Sequence, residues 1–252
     1  MSGHSKWATT KHRKAAVDAK RSALFSKLSR MITVAAKAGG DPSPDNNASL
    51  AAAIAKAKSY SLPKDKIETA INKAFGAGAD AANYEEVTYE GYGPGGVALY
   101  VEALTDNRNR TAADVRAAFT RAGGSLGATG SVAFQFERKG EITVERSAAP
   151  DEEELLLAVM DAGGEDLEDN GDEWGVVTAP NDLTKVKGAL EAAGVEVKGA
   201  ELVMRAHTPS EVDAATARKV MNLVDRLEES DDIQDVYHNM AVTDEIMEQL
   251  EA

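Results

Sequence analysis

The chain of 252 residues contains no cysteine, which removes a disulfide framework, a thiolate nucleophile and a cysteine-based zinc site. No apolar run approaches the roughly 20 residues that a membrane helix needs, and the first residues lack the apolar stretch of a secretory signal. A cytoplasmic protein with no membrane partner is expected. Catalytic signatures are missing as well. Gly91-Tyr92-Gly93-Pro94-Gly95-Gly96 has the glycine spacing of a dinucleotide loop, but it opens the strand-like Val97–Val101 rather than a helix, so a hairpin turn is the better reading. The stretch from Asp166 begins like a calcium loop, yet Val177 stands where the bidentate glutamate belongs. The histidines at 4, 12, 207 and 238 lack metal-ligand spacing, and there is no nucleophile elbow or Walker loop. These absences lead us to expect no enzyme, no metal, no cofactor and no small-molecule substrate.

The formal net charge of -14 conceals a very uneven distribution. Residues 1–80 hold 14 Lys/Arg against 6 Asp/Glu, and the remainder holds 14 against 36, so a part of net +8 precedes a part of net -22. Such asymmetry points to a polyanion partner for the basic part, with the acidic part maintaining solubility.

Apolar spacing predicts three helices in residues 1–80. One runs from Ala15 to Ala38, a second starts at the capping pair Asn46-Asn47, and a third follows Pro63. From Tyr84 the pattern changes to strand, Gly/Pro turn, strand, then an amphipathic helix closed by Gly123-Gly124. A second set, in the order βαββαβ of a ferredoxin-like domain, begins with a strand through Val132–Glu137. The tail then supplies one helix, Pro209–Glu228, and one strand. Because a lone strand is unstable, we expect the tail to complete the unit begun at Tyr84. The expected class is α+β, with a basic helical domain over 1–80, a discontinuous α/β domain over 81–131 and 207–252, and an inserted ferredoxin-like domain over 132–206. Three consecutive domains are the alternative.

Two basic sites emerge. Residues 1–30 contain eight Lys/Arg and a single acid, Asp18. Lys20, Lys27, Arg30 and Lys37 fall on an arc of about 100° beside the apolar stripe. His4, Lys6, Trp7, Lys11, His12, Arg13, Lys14, Lys20, Arg21, Lys27 and Arg30 are therefore candidates for nucleic-acid binding. Solvation of a helix face and an organelle transit peptide are the competing explanations. Trp7 either stacks on a base or anchors the arm to the bundle. The second site is Asn107-Arg108-Asn109-Arg110 together with Arg116, where Asp106 or Asn107 can cap a helix, flanked by the 91–96 turn and the loop Gly123–Ser131. Amides exposed in glycine-rich loops bind phosphates. Alternatively the asparagines shape turns and the arginines pair with acids such as Glu102 or Asp114.

The stretches GHSKWATTKHRKAA, EGYGPGGVALYVEALTDNRNRTAADVR and GGSLGATGSVAFQFERKG resemble signature blocks of the YebC/PmpR family, which is related to the mitochondrial translational activator of cytochrome oxidase. Thr9-Thr10 stands where such families often have Asn-Ile, leaving Lys11, Arg13 and Lys14 in place. The resemblance implies a three-domain fold with one α/β domain inserted in the other. It also implies a cytoplasmic, non-enzymatic regulator, either a DNA-binding transcriptional regulator or a ribosome-associated translation factor. No recognition helix of helix-turn-helix type is evident, and an acidic body is repelled by bare duplex. The ribosome and its RNA are therefore the favoured partner, DNA the alternative and a protein-interaction module the third reading. The oligomeric state is taken as monomeric by default.

Overall fold

The computed structural model describes residues 18–76, 84–149, 151–243 and 246, with side chains from residue 22 onward. The fold is mixed α+β, three helices followed by two antiparallel sheets with their covering helices. The described residues of 28–79 and 138–203 form one compact unit, and those of 2–27, 80–137 and 204–252 form the other.

The helices are α1 (Asp18–Gly39), α2 (Ala48–Ser59) and α3 (Lys64–Phe75). Their apolar stripes meet through Ile32, Ala36, Leu50, Ala53, Ala57, Ile67 and Ala70, all buried. Asn47 caps α2 by accepting from Leu50 N at 3.0 Å, and its amide donates to Ala35 O at 3.0 Å, so one side chain both starts α2 and fastens it to α1. In the same unit lies the sheet of β4 (Phe136–Glu145), β5 (Asp166–Asp169), β6 (Glu173–Thr178) and β7 (Val197–Ala206), in the order β5-β6-β4-β7. With α5 (Glu152–Ala162) and α6 (Leu183–Ala192) it gives the expected βαββαβ order. Trp174 is fully buried in its core and donates from Nε1 to Ala149 O at 2.8 Å.

The second unit is built on the sheet β3-β1-β2-β8, where β1 is Glu85–Tyr92, β2 Ala98–Thr105, β3 Ser125–Leu126 and β8 Ile233–His238. The tail strand β8 pairs antiparallel with β2, from Leu99 opposite His238 to Ala103 opposite Ile233. Helices α4 (Arg108–Ala122) and α7 (Ala214–Glu228) pack on the sheet, and Phe119, Val220, Leu223 and Leu227 join Val97, Leu99, Val101, Ile233 and Val236 in one core. The tail helix starts at Asp213, whose side chain accepts from Thr216 N at 2.7 Å, later than the Pro209 expected from periodicity.

One expected strand is only partly a strand. Val132–Glu137 alternates in period two, but residues 133–135 form a 3-10 turn and β4 begins at Phe136. The cause is Glu90. Its carboxylate accepts from the amides of Gly130, Val132 and Ala133 at 2.7, 2.8 and 2.7 Å, groups that a longer β ladder would have used.

Candidate nucleic-acid interface

The turn over residues 91–96 is held by packing on both sides. Gly91, Gly93 and Pro94 are buried, Tyr92 is half-buried, and only Gly95 and Gly96 reach solvent. A Cβ at Gly91 would lie 2.6 Å from Ser125 O and 2.7 Å from a ring carbon of Phe119, so no larger residue fits there. Gly95, at φ +70°, sits against Thr216 of α7, and the loop is thereby locked to the tail helix. This is the expected hairpin turn, and it presents little backbone to a ligand.

The loop Gly123–Ser131 was expected to offer free amides to phosphate. Instead, three amides of this segment and of the turn after it, those of Gly130, Val132 and Ala133, are taken by Glu90, which is 3% exposed. Burial pushes the Glu90 carboxyl up, and the three amide bonds outweigh it, holding the group below the ordinary carboxylate range. One amide of the expected loop, that of Gly130, is thus already engaged by an internal carboxylate.

Asn107 caps α4 by accepting from Arg110 N at 3.1 Å, as its position predicted. Arg110 itself is committed elsewhere. Its guanidinium donates to Asp106 at 2.7 Å and to the buried Asp232 at 2.8 Å, and this raises its already high pKa. Asp232 also accepts from Thr105 at 3.2 Å and Thr111 at 2.8 Å. Burial raises the Asp232 carboxyl, but Arg110, Thr111 and Thr105 outweigh it and hold the group low. Arg110, expected as a nucleic-acid ligand, thus joins α4 to the segment before β8. Arg108 is different: it is exposed, 3.5 Å from Glu85, and Asn109 beside it is exposed too. The acids that pair with these two arginines are thus Glu85, Asp106 and Asp232, not Glu102 or Asp114. Arg110→Ala is expected to lower the melting temperature clearly at neutral pH, with the difference from wild type shrinking in acid because Asp232 is no longer held as far below its ordinary range, whereas Arg108→Ala removes an exposed pair of about 0–1 kcal/mol. Thermal melts of the single variants check this, and equal melting of the two would contradict it.

The N-terminal candidates divide by position. His4, Lys6, Trp7, Lys11, His12, Arg13 and Lys14 lie outside the described residues, and the side chains of Lys20 and Arg21 are likewise not described. Lys27 does not join a cationic arc: it is 8% exposed, and its ammonium donates to Glu228 O at the C-terminal end of α7. A cation at that position satisfies an orphan carbonyl and complements the helix dipole. Arg30 is half-buried.

Arg116, which the sequence placed in the second basic site, is exposed on α4, and among the described residues it has no ion pair. Two features were not read from the sequence. Arg121 on α4 is likewise exposed and without an ion pair among the described residues. Phe134, read as a strand residue, is 71% exposed on the 3-10 turn that Glu90 fixes. Its neighbour Gln135 donates to Tyr92 Oη at 3.2 Å and accepts from Asn239 at 3.1 Å, while its carbonyl takes the amide of His207 at 2.8 Å. The ring is thus presented to solvent on a rigid support. The only sequence signal for it was the absence of charge from Ala122 to Phe136 in a chain that is 28% charged.

Comparison with known proteins identifies the group. The model of the TACO1/YebC N-terminal domain matches residues 5–77, and that of the TACO1/YebC second and third domain matches residues 84–240. The chain belongs to the TACO1/YebC family. A probable transcriptional regulatory protein of Rubrobacter xylanophilus is 52% identical over 98% of both chains, and one of Bifidobacterium animalis subsp. lactis is 52% identical over 100% of this chain and 99% of its own. A conserved hypothetical protein of Aquifex aeolicus, solved by crystallography, has the same fold with a TM-score of 0.82 at 44% identity, covering 93% of this chain and 96% of that one. The two YebC family models leave residues 78–83 between them. No helix among the described residues of this YebC-family chain is long and apolar enough to cross a membrane.

Proposed function

We propose that the chain is a non-enzymatic, nucleic-acid-binding regulator of gene expression that acts on ribosomal RNA as a translation factor relieving stalled synthesis. The observation that carries this is the charge division: eight Lys/Arg with one acid in residues 1–30, ahead of a body of net -22 beyond residue 80. A cationic arm binds phosphates regardless of sequence, and an acidic body opposes lying along bare duplex. Phe134 supports RNA in particular. A rigidly held, exposed ring stacks on unpaired bases, which folded RNA offers in loops and which a closed duplex withholds. The second reading is a DNA-binding transcriptional regulator, favoured by the names of the relatives from Rubrobacter and Bifidobacterium.

Fluorescence anisotropy with single-stranded RNA, an RNA hairpin and duplex DNA at one salt concentration separates the two. RNA is expected to bind more tightly, with Phe134→Ala weakening RNA binding about tenfold, Phe134→Trp restoring it and duplex DNA unaffected. Tighter binding of duplex DNA, unaltered by Phe134→Ala, would contradict the ribosomal reading and leave the transcriptional one.

A further inference from the structure

Helix α5 carries an apolar face that the fold does not use. Leu155, Val159 and Ala162 turn inward to the sheet, which accounts for the helix's place in the unit. Leu156, Leu157 and Met160 point the other way and are 41%, 67% and 55% exposed. At 100° per residue these three span an arc of about 100° centred on the side away from the core. Only six large apolar side chains are exposed among the described residues, and three of them stand on this one helix of 11 residues. Scattered exposed apolar residues are ordinary, whereas a contiguous group rimmed by charge marks a contact surface.

The rim is predominantly acidic, with one cation, Lys185 of α6, close to Gly163 at the C-terminal end of the helix. Glu153 lies within the arc and Asp161 at its edge, and from Ser147 to Thr184 the chain has twelve Asp/Glu and no Lys or Arg. That sign selects among occupants. RNA, DNA and an anionic lipid surface would bring negative charge against negative charge. A second copy placed about a two-fold axis would face the same acids with themselves. A cationic protein segment with an apolar stripe meets both the face and its rim.

We propose that the outer face of α5 is a docking surface for a basic, amphipathic protein segment, contacted by Leu156, Leu157 and Met160 and oriented by Glu153 and Asp161. The surface shares no residue with the nucleic-acid site, and the proposal does not rest on that site.

The test uses the full chain and two labelled helical peptides, both with leucines at i, i+3, i+4 and i+7, one flanked by lysines and the other by glutamates. The lysine peptide is expected to bind and the glutamate peptide not. Leu157→Gln with Met160→Gln should weaken binding about tenfold or more without lowering the melting temperature, because both side chains are already solvated. Glu153→Lys with Asp161→Lys should weaken the lysine peptide and gain affinity for the glutamate one. Failure of the lysine peptide to bind, or binding indifferent to both double variants, would overturn the proposal. So would binding of phosphatidylglycerol vesicles or of single-stranded RNA through this face, or a dimer in sedimentation equilibrium that Leu157→Gln with Met160→Gln dissolves.

Discussion

Replacing Glu90 by Gln is expected to cost about 3 kcal/mol, because hydrogen bonds to a charged group contribute roughly 1.5–3 kcal/mol each and the amide substitute turns a donor toward donors. The three amides of Gly130, Val132 and Ala133 lose their shared acceptor at a residue that is 3% exposed. For a chain of this size that corresponds to a melting temperature lower by about 6–12 °C. The effect depends on pH with a definite sign. The folded-state pKa of Glu90 lies below its ordinary value of 4.5, so its contribution is fully present above that value and is lost as pH falls through the depressed one. Melting curves of wild type and Glu90→Gln should therefore differ most at neutral pH and converge in acid. Hydrogen exchange should speed up first at residues 127–134, and Phe134 should lose its support, so the variant should also lose the RNA affinity assigned to the ring. A pH-independent difference in melting would contradict the assignment of Glu90 as an ionised anchor.

Reversing Lys11, Arg13 and Lys14 to Glu should weaken nucleic-acid binding about 100-fold or more at low salt, with a salt slope shallower by about two to three, since each phosphate contact contributes close to one unit of slope. These residues belong to a segment with eight cations and one acid. Stability should hardly change, because exposed charges contribute about 0–1 kcal/mol. Affinity titrations at several salt concentrations read the slope directly. An unchanged slope would place the phosphate contacts elsewhere, with Arg108, Arg116 and Arg121 of α4 as the described cations to examine next.

The elements that sequence made legible are those written in local pattern. The caps at Asn47 and Asn107, the glycine stop at Gly123 and the hairpin at 91–96 were each readable from neighbours within a few residues. The return of the tail to the first sheet was legible because a single strand needs a partner. What escaped was long-range. Lys27 looked like one more surface cation because Glu228, which receives its ammonium, is 201 residues away. Arg110 looked free because Asp232 lies 122 residues on. Nothing in the alternation of Val132–Glu137 says that Phe134 turns outward, because Glu90, whose carboxylate consumes the amides around residue 132, lies 42 residues earlier.

Sedimentation of the tagged full chain through sucrose gradients, with and without ribonuclease, tests the central claim most directly. Migration with ribosomal particles is expected, lost after ribonuclease digestion and in the Lys11, Arg13, Lys14 reversal variant. A chain that stays at the top of the gradient while ribosomes are intact, or that sediments with nucleic acid released only by deoxyribonuclease, would contradict it.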